Sequence, residues 1–237
     1  MYEFTTGNGF LVYLVAAAGL LHASLQLPLA TLTHALTHNL GRNRQSHTVP
    51  LAGFFLLGFL AALSTLALAS LLLLSQLGIN QATYLTIGAL ICIAGAGIML
   101  AYFRDNNGAA LWVPRRFVQK LYKLTEKKTL AEAYGSIAVA GFLAVFYEII
   151  FCFPLVLCAI AISASASEAT ISQHMLTYAL AASAPLIVAM SVLAGGTSPV
   201  RIHKWRIESK RFWQFFLGLT YICFGLYIAS GQFAMHY

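Results

Sequence analysis

Residues Leu21–Leu32 read LHASLQLPLATL, and Tyr147–Cys158 read YEIIFCFPLVLC. Each stretch sits inside a longer apolar run, and each carries a proline with an ionisable side chain six residues before it: His22 before Pro28, and Glu148 before Pro154. Overlaying the prolines also sets Gln26 on Cys152. The correspondence extends further along the chain, because Ile87–Gly95 (IGALICIAG) and Leu217–Gly225 (LGLTYICFG) share glycines seven apart, Gly88 and Gly95 against Gly218 and Gly225. The halves therefore read as two copies of one pattern.

Outward from these anchors the composition is that of a membrane protein. Of 237 residues 59% are hydrophobic and only 9% charged, whereas soluble domains carry about 25% charge. Apolar segments recur at 10–36, 50–74, 82–103, 135–164, 177–195 and 212–234. Each is long enough, at about 1.5 Å per residue, to cross a hydrocarbon core of about 30 Å. The expected fold class is all-α: an integral membrane protein of six transmembrane helices arranged as two inverted three-helix repeats. Residues 1–103 form the first repeat, 104–134 a basic linker and 135–237 the second repeat. An odd number of spans per repeat turns the second copy over in the membrane, as in many transporters whose site lies near the midplane. The first run is not read as a cleavable signal, since MYEFTTGNG carries no basic residue and the run is too long.

All fourteen Lys and Arg fall in three connections on one side of this topology. Arg42 and Arg44 lie in the first, Arg104, Arg115, Arg116, Lys120, Lys123, Lys127 and Lys128 in the third, and Arg201, Lys204, Arg206, Lys210 and Arg211 in the fifth. The positive-inside rule turns these toward the cytoplasm, leaving both termini outside a bacterial-type inner membrane. The basic charge thus reports topology and gives no ground for nucleic-acid binding, because no basic face is interleaved with stacking aromatics. After Pro114 the linker RRFVQKLYKLTEKK places Phe117, Leu121 and Leu124 at helical spacing with cations between them. This predicts a helix on the inner leaflet, with Arg115, Arg116, Lys120, Lys123, Lys127 and Lys128 toward anionic headgroups; a solvated topogenic loop is the alternative.

Glu148 and His22 are, thiols aside, the ionisable residues that these boundaries place deep in the bilayer. A charge there costs about 2.5 kcal/mol or more, so such residues face a cavity or partner and mark an ion or substrate route. A mid-span proline strands the carbonyl four residues earlier, that of Ser24 for Pro28 and of Ile150 for Pro154, and such groups need partners at membrane depth. Together these features predict a substrate or ion site from Glu148, His22, Gln26, Ser24, Tyr147 and Cys152, with Pro28 and Pro154 as helix breaks. The plainer alternatives are a hydrogen-bonded packing histidine and ordinary kinks. His34 and His38, four apart, are weak metal candidates; a polar helix end is the alternative. The four cysteines, Cys92, Cys152, Cys158 and Cys223, form no C-x-x-C pair, and no disulfide framework is expected.

The paired triplets, the prolines of the first and fourth spans, the fifth-span phrase YALAASAPLIVAMSVLAG and the glycine-spaced third and sixth spans resemble the DsbD/CcdA thiol-electron conductors and, more broadly, the LysE/NicO-type exporters. The resemblance covers most of the chain. Redox members carry a cysteine three residues before each proline; here those positions are Leu25 and Phe151. A dithiol relay needs two thiols that can meet, so the resemblance favours an exporter-like role: a transporter of a small solute or ion. A transmembrane thiol-disulfide carrier and a subunit of a larger membrane complex, or a homodimer, are the alternatives. No nucleotide-binding loop, hydrolytic triad or paired catalytic carboxylates occur, so neither an enzyme nor a cofactor is expected.

Overall fold

A computed structural model of the chain describes residues 3–25, 27–39, 47–104, 115–126, 130–167, 170–197 and 199–231. Regular structure among them is helical: α1 (Glu3–Ala23), α2 (Leu27–Asn39), α3 (Thr48–Leu77), α4 (Gln81–Arg104), α5 (Arg115–Thr125), α6 (Leu130–Tyr147), α7 (Ile149–Ala166), α8 (Ile171–Ala194) and α9 (Pro199–Ser230). Helices α3, α4, α7, α8 and α9 each hold an apolar window long enough to cross a membrane, and the α1–α2 pair, bent by 49°, supplies a sixth if it acts as one span.

The chain departs from the expected segments at the two proline stretches. The run 10–36 is two helices, and the run 135–164 is also two, parted at Glu148. End to end, α6 and α7 hold 36 residues, about 54 Å at 1.5 Å per residue, far more than one crossing needs. In the fifth connection, the basic residues 201–211 continue as the first three turns of α9, whose apolar window begins at Phe212. The tight α3–α4 turn was legible as SQLGINQA. Gly78 takes a left-handed φ of 73°, its N–H donates to the Leu74 carbonyl at 2.8 Å, and Asn80 Oδ1 accepts the Thr83 N–H at 2.9 Å.

Lipid offers nothing to a backbone or hydroxyl, so polar residues within helices bond inward. In α2 the hydroxyls of Thr31, Thr33 and Thr37 donate to the carbonyls of Leu27, Leu29 and Thr33, each four residues back. This lets the polar phrase TLTHALTH bury Thr31 and Thr33.

Close approach between spans comes from small residues. Helices α4 and α9 run antiparallel and cross where Gly88 faces Gly225 and Gly95 faces Gly218. A methyl at Gly88 would stand 2.5 Å from the Gly225 carbonyl oxygen, and one at Gly95 would stand 2.8 Å from that of Gly218. The glycine pairs aligned in the sequence are thus each other's contacts. Gly58 and Gly141 bring α3 against α6, and Gly19 brings α1 against α8. Between these pairs α7 is wrapped by α1, α3, α4 and α8; twelve of its eighteen residues are buried.

The linker helix forms at Arg115–Thr125, and part of its apolar side meets protein while Phe117 stays partly exposed. Leu121 is buried, α5 packs on α2 and α6, Phe117 lies against Tyr147 with ring centroids 4.9 Å apart, and Tyr122 stacks on His34 at 4.0 Å. Arg116, Lys120 and Lys123 are exposed. The side chain of Arg115 and residues Lys127 and Lys128 lie outside the described residues.

Candidate functional site

The first helix break opens at Ser24, four residues before Pro28, where a proline-only rule places it, whereas the second falls at Glu148, two residues before Ile150. In the first, the Ser24 N–H closes on the Leu20 and Leu21 carbonyls, both at 3.1 Å, and the Leu25 N–H on His22 at 3.0 Å. Helix α2 then starts at Leu27 with Pro28 in its first turn, where a missing N–H costs little. In the second, the Glu148 N–H tightens onto Val145 at 3.1 Å, and its carbonyl accepts from Phe151 and Cys152 at 2.9 and 3.0 Å. Pro154 lies inside α7.

The two breaks are joined to each other. The Leu27 N–H, at the start of α2, donates to Glu148 Oε1 at 3.2 Å in a buried contact. The glutamate therefore has a structural use: it caps a half-helix across the bundle, with its carboxyl at the positive end of that helix's dipole.

Glu148 is 1% exposed, and no basic side chain among the described residues pairs with it. His22, also 1% exposed, bonds through Nδ1 to the Tyr178 hydroxyl at 2.7 Å, and its ring meets those of Phe59 and Tyr178 edge-on. Tyr221, fully buried on α9, lies within electrostatic reach of Glu148 and Cys152, and Tyr178 lies within reach of Tyr221, Cys152 and Cys158. Three polar atoms of this cluster, His22 Nε2, Glu148 Oε2 and Tyr221 Oη, are buried without a hydrogen-bond partner. A cavity of about 10 Å³ borders His22, Pro28, Phe59 and Pro185, room for about one water.

The structure gathers only part of the predicted set. His22, Glu148 and Cys152 belong to the cluster, although His22 is bonded to Tyr178 and Glu148 to Leu27. Ser24 points away: its hydroxyl donates to its own helix at Leu20, 2.9 Å, and it borders an apolar groove of about 290 Å³ between α1 and α9, walled by Leu20, Trp213 and Phe216. Tyr147 faces Phe117 of α5, and Gln26 lies outside the described residues. Ser24, expected at the first break, does lie in it, whereas the second break falls at Glu148 and leaves Ile150 inside α7. His34 pairs with Glu126 at 3.3 Å; the side chain of His38 lies outside the described residues. Among the described residues no three His, Cys, Asp or Glu side chains gather as a metal site. All four cysteines are free.

Tyr178 and Tyr221 were not anticipated. Both had a signal: Tyr221 shares the helix face of Gly218 and Gly225, three and four residues away, and Tyr178 follows His174 by one turn. The chain matches no family model, no curated protein and no solved structure.

Proposed function

We propose that the chain is a secondary transporter of a small solute or ion, working at a site between two inverted halves. The observation that carries this is the cluster where the helix breaks meet, with a lone carboxyl and an imidazole buried and each left with an unused polar atom. Groups so costly to bury serve a route or a partner. Interrupted spans that meet near the centre of the bundle are how inverted-repeat transporters build such sites.

Packing supports the inverted halves. If α1–α2 corresponds to α6–α7, α3 to α8 and α4 to α9, a two-fold exchange turns each major contact into another. The α3–α6 pair becomes α8–α1, α1–α7 becomes α6–α2, α4–α7 becomes α9–α2, and the antiparallel α4–α9 glycine crossing maps onto itself. With the basic connections inside, the exposed Arg116, Lys120 and Lys123 of α5 face the inner leaflet, where anionic headgroups attract them. The thiol-carrier alternative is weaker, because Cys152, the thiol beside Glu148, has Gln26 as its mate in the sequence overlay.

Proteoliposomes on a solid-supported membrane, challenged with rapid jumps of amino acids and of inorganic cations, test the proposal. Transient currents that vanish in Glu148→Gln at equal protein incorporation are expected. Wild-type protein silent in both classes, or currents unchanged by the substitution, would overturn it.

A further inference from the structure

We propose that the groove between α1 and α9 holds one acyl chain of an anionic phospholipid, drawn from the leaflet on the side of the basic connections, with its headgroup at the basic turns of α9. The walls select hydrocarbon. Leu20 and Leu21 of α1 and Trp213, Phe216, Leu217 and Phe224 of α9 enclose about 290 Å³. The two hydroxyls at the walls give their hydrogens to their own helices, Ser24 to the Leu20 carbonyl at 2.9 Å and Thr220 to the Phe216 carbonyl at 2.8 Å. A solute with acceptor groups gains nothing from either, and leaving those groups unpaired in an apolar space is costly. An alkyl chain asks for no partner.

The length of the groove fits one leaflet. Eleven residues of α9 separate Trp213 from Phe224, about 16 Å at about 1.5 Å per residue, or about half of a hydrocarbon core of about 30 Å. The Trp213 end carries the marks of headgroup depth. The apolar window of α9 begins at Phe212, and Phe212, Trp213 and Phe216 are all exposed. Phe212 stacks on Phe216 with ring centroids 6.1 Å apart and meets Trp213 edge-on at 5.9 Å, an aromatic girdle of the kind that gathers where hydrocarbon meets headgroups. A chain entering there runs along the groove to mid-membrane.

Charge selects the headgroup. Trp213, Leu217, Thr220 and Phe224 follow one another by four, three and four residues, which is a single helical stripe, and the same spacing carried back along α9 falls on Lys210 and Arg206. The stripe that lines the groove therefore passes into cationic positions as it leaves the hydrocarbon, where each Lys or Arg favours an anionic lipid by about fivefold. Glu208, the acidic residue of these turns, is paired with Lys204 at 3.8 Å, and Arg201 is exposed. A second copy of the chain fits less well: a helix about 10 Å across and about 16 Å long fills about 1,200 Å³, about four times the space present.

Fluorescence quenching in phosphatidylcholine vesicles tests this, with Trp213 as reporter in a chain carrying Trp112→Phe and Trp205→Phe, the other two of its three tryptophans. The probes are phosphatidylglycerol and phosphatidylcholine brominated on their acyl chains. Competition should give phosphatidylglycerol about a 25-fold higher relative affinity, the product of two cations at about fivefold each. Arg206→Gln with Lys210→Gln should remove most of that preference, and Arg206→Lys with Lys210→Arg should keep it. Thr220→Phe, which fills the groove, should abolish the preference, whereas Thr220→Val, which keeps its volume, should preserve it. Quenching by brominated phosphatidylcholine reports in every variant that Trp213 still meets the bilayer. Equal affinity for the two lipids in the parent chain would overturn the proposal. A preference that survives Thr220→Phe would reduce it to diffuse attraction around α9 and overturn the groove as the site, and loss in Thr220→Val would overturn the hydrocarbon assignment. Trp213 shielded from both brominated lipids in a cross-linkable dimer would give the groove to a second copy instead.

Discussion

The α4–α9 crossing makes a prediction with an internal control. An alanine methyl at Gly95 would lie 2.8 Å from the Gly218 carbonyl oxygen, 2.8 Å from Tyr221 Cβ and 3.0 Å from Ile222 Cγ1. Comfortable separations are about 3.5–4.0 Å, so α9 must retreat by about 1 Å, and the obstacles are a carbonyl and a Cβ that cannot swing aside. Overpacking of this kind costs about 1–3 kcal/mol, while replacing a helical glycine by alanine returns about 1 kcal/mol. The net is a destabilisation of about 1 kcal/mol. At Gly135 in α6 an added methyl meets nothing within 4 Å, so Gly135→Ala keeps the helix gain alone and should stabilise by about 0.5–1 kcal/mol. The two substitutions are chemically identical yet should differ by about 2 kcal/mol, roughly 30-fold in the unfolding equilibrium. Reversible unfolding in mixed micelles titrated with SDS measures both. If Gly95→Ala is as stable as Gly135→Ala, the glycine crossing is not the close contact described.

Other expectations follow from single contacts. In a double-mutant cycle with Tyr178→Phe and His22→Leu, the hydrogen bond between these residues should couple them by about 0.6–1.7 kcal/mol, the range for polar contacts between membrane helices; additive effects would remove the bond. The two prolines should behave differently: Pro28→Ala, in the first turn of α2, should leave stability within about 0.5 kcal/mol, whereas Pro154→Ala, inside α7, restores an intrahelical bond and should raise stability by about 1 kcal/mol or more, read in the same micelle assay. The partly exposed His34–Glu126 pair should be worth no more than about 1 kcal/mol, so Glu126→Gln should barely shift the unfolding midpoint.

Much of this architecture is visible in the sequence because lipid imposes so few solutions. Apolar runs of sufficient length mark α3, α4 and the apolar part of α9 within a few residues and α8 within six, and glycines spaced by seven mark their own contact. The breaks were less legible. A proline rule points four residues upstream, yet the chain turns at Glu148, where the interruption is stabilised by a partner 121 residues away in sequence. No local pattern contains that information. Ser24 misled for a related reason: a hydroxyl in a helix can satisfy itself on the preceding turn, so its polarity does not reveal which way it faces. The face of α5 was also ambiguous, since an amphipathic stripe fits a bilayer or the ends of neighbouring helices equally well; Leu121 is buried in protein while Phe117 keeps an exposed edge.

The contact between Leu27 and Glu148 also bears on how the protein is made. Helix α2 leaves the ribosome long before residue 148 does, and until then its first amide has no cap from the second half. The early half must wait in the membrane with an unfinished helix start, held by lipid headgroups, water or the insertion machinery. Release of the second half then completes the first, so a truncated chain ending in the 105–114 region should be a substrate for membrane proteases even though its apolar helices are intact.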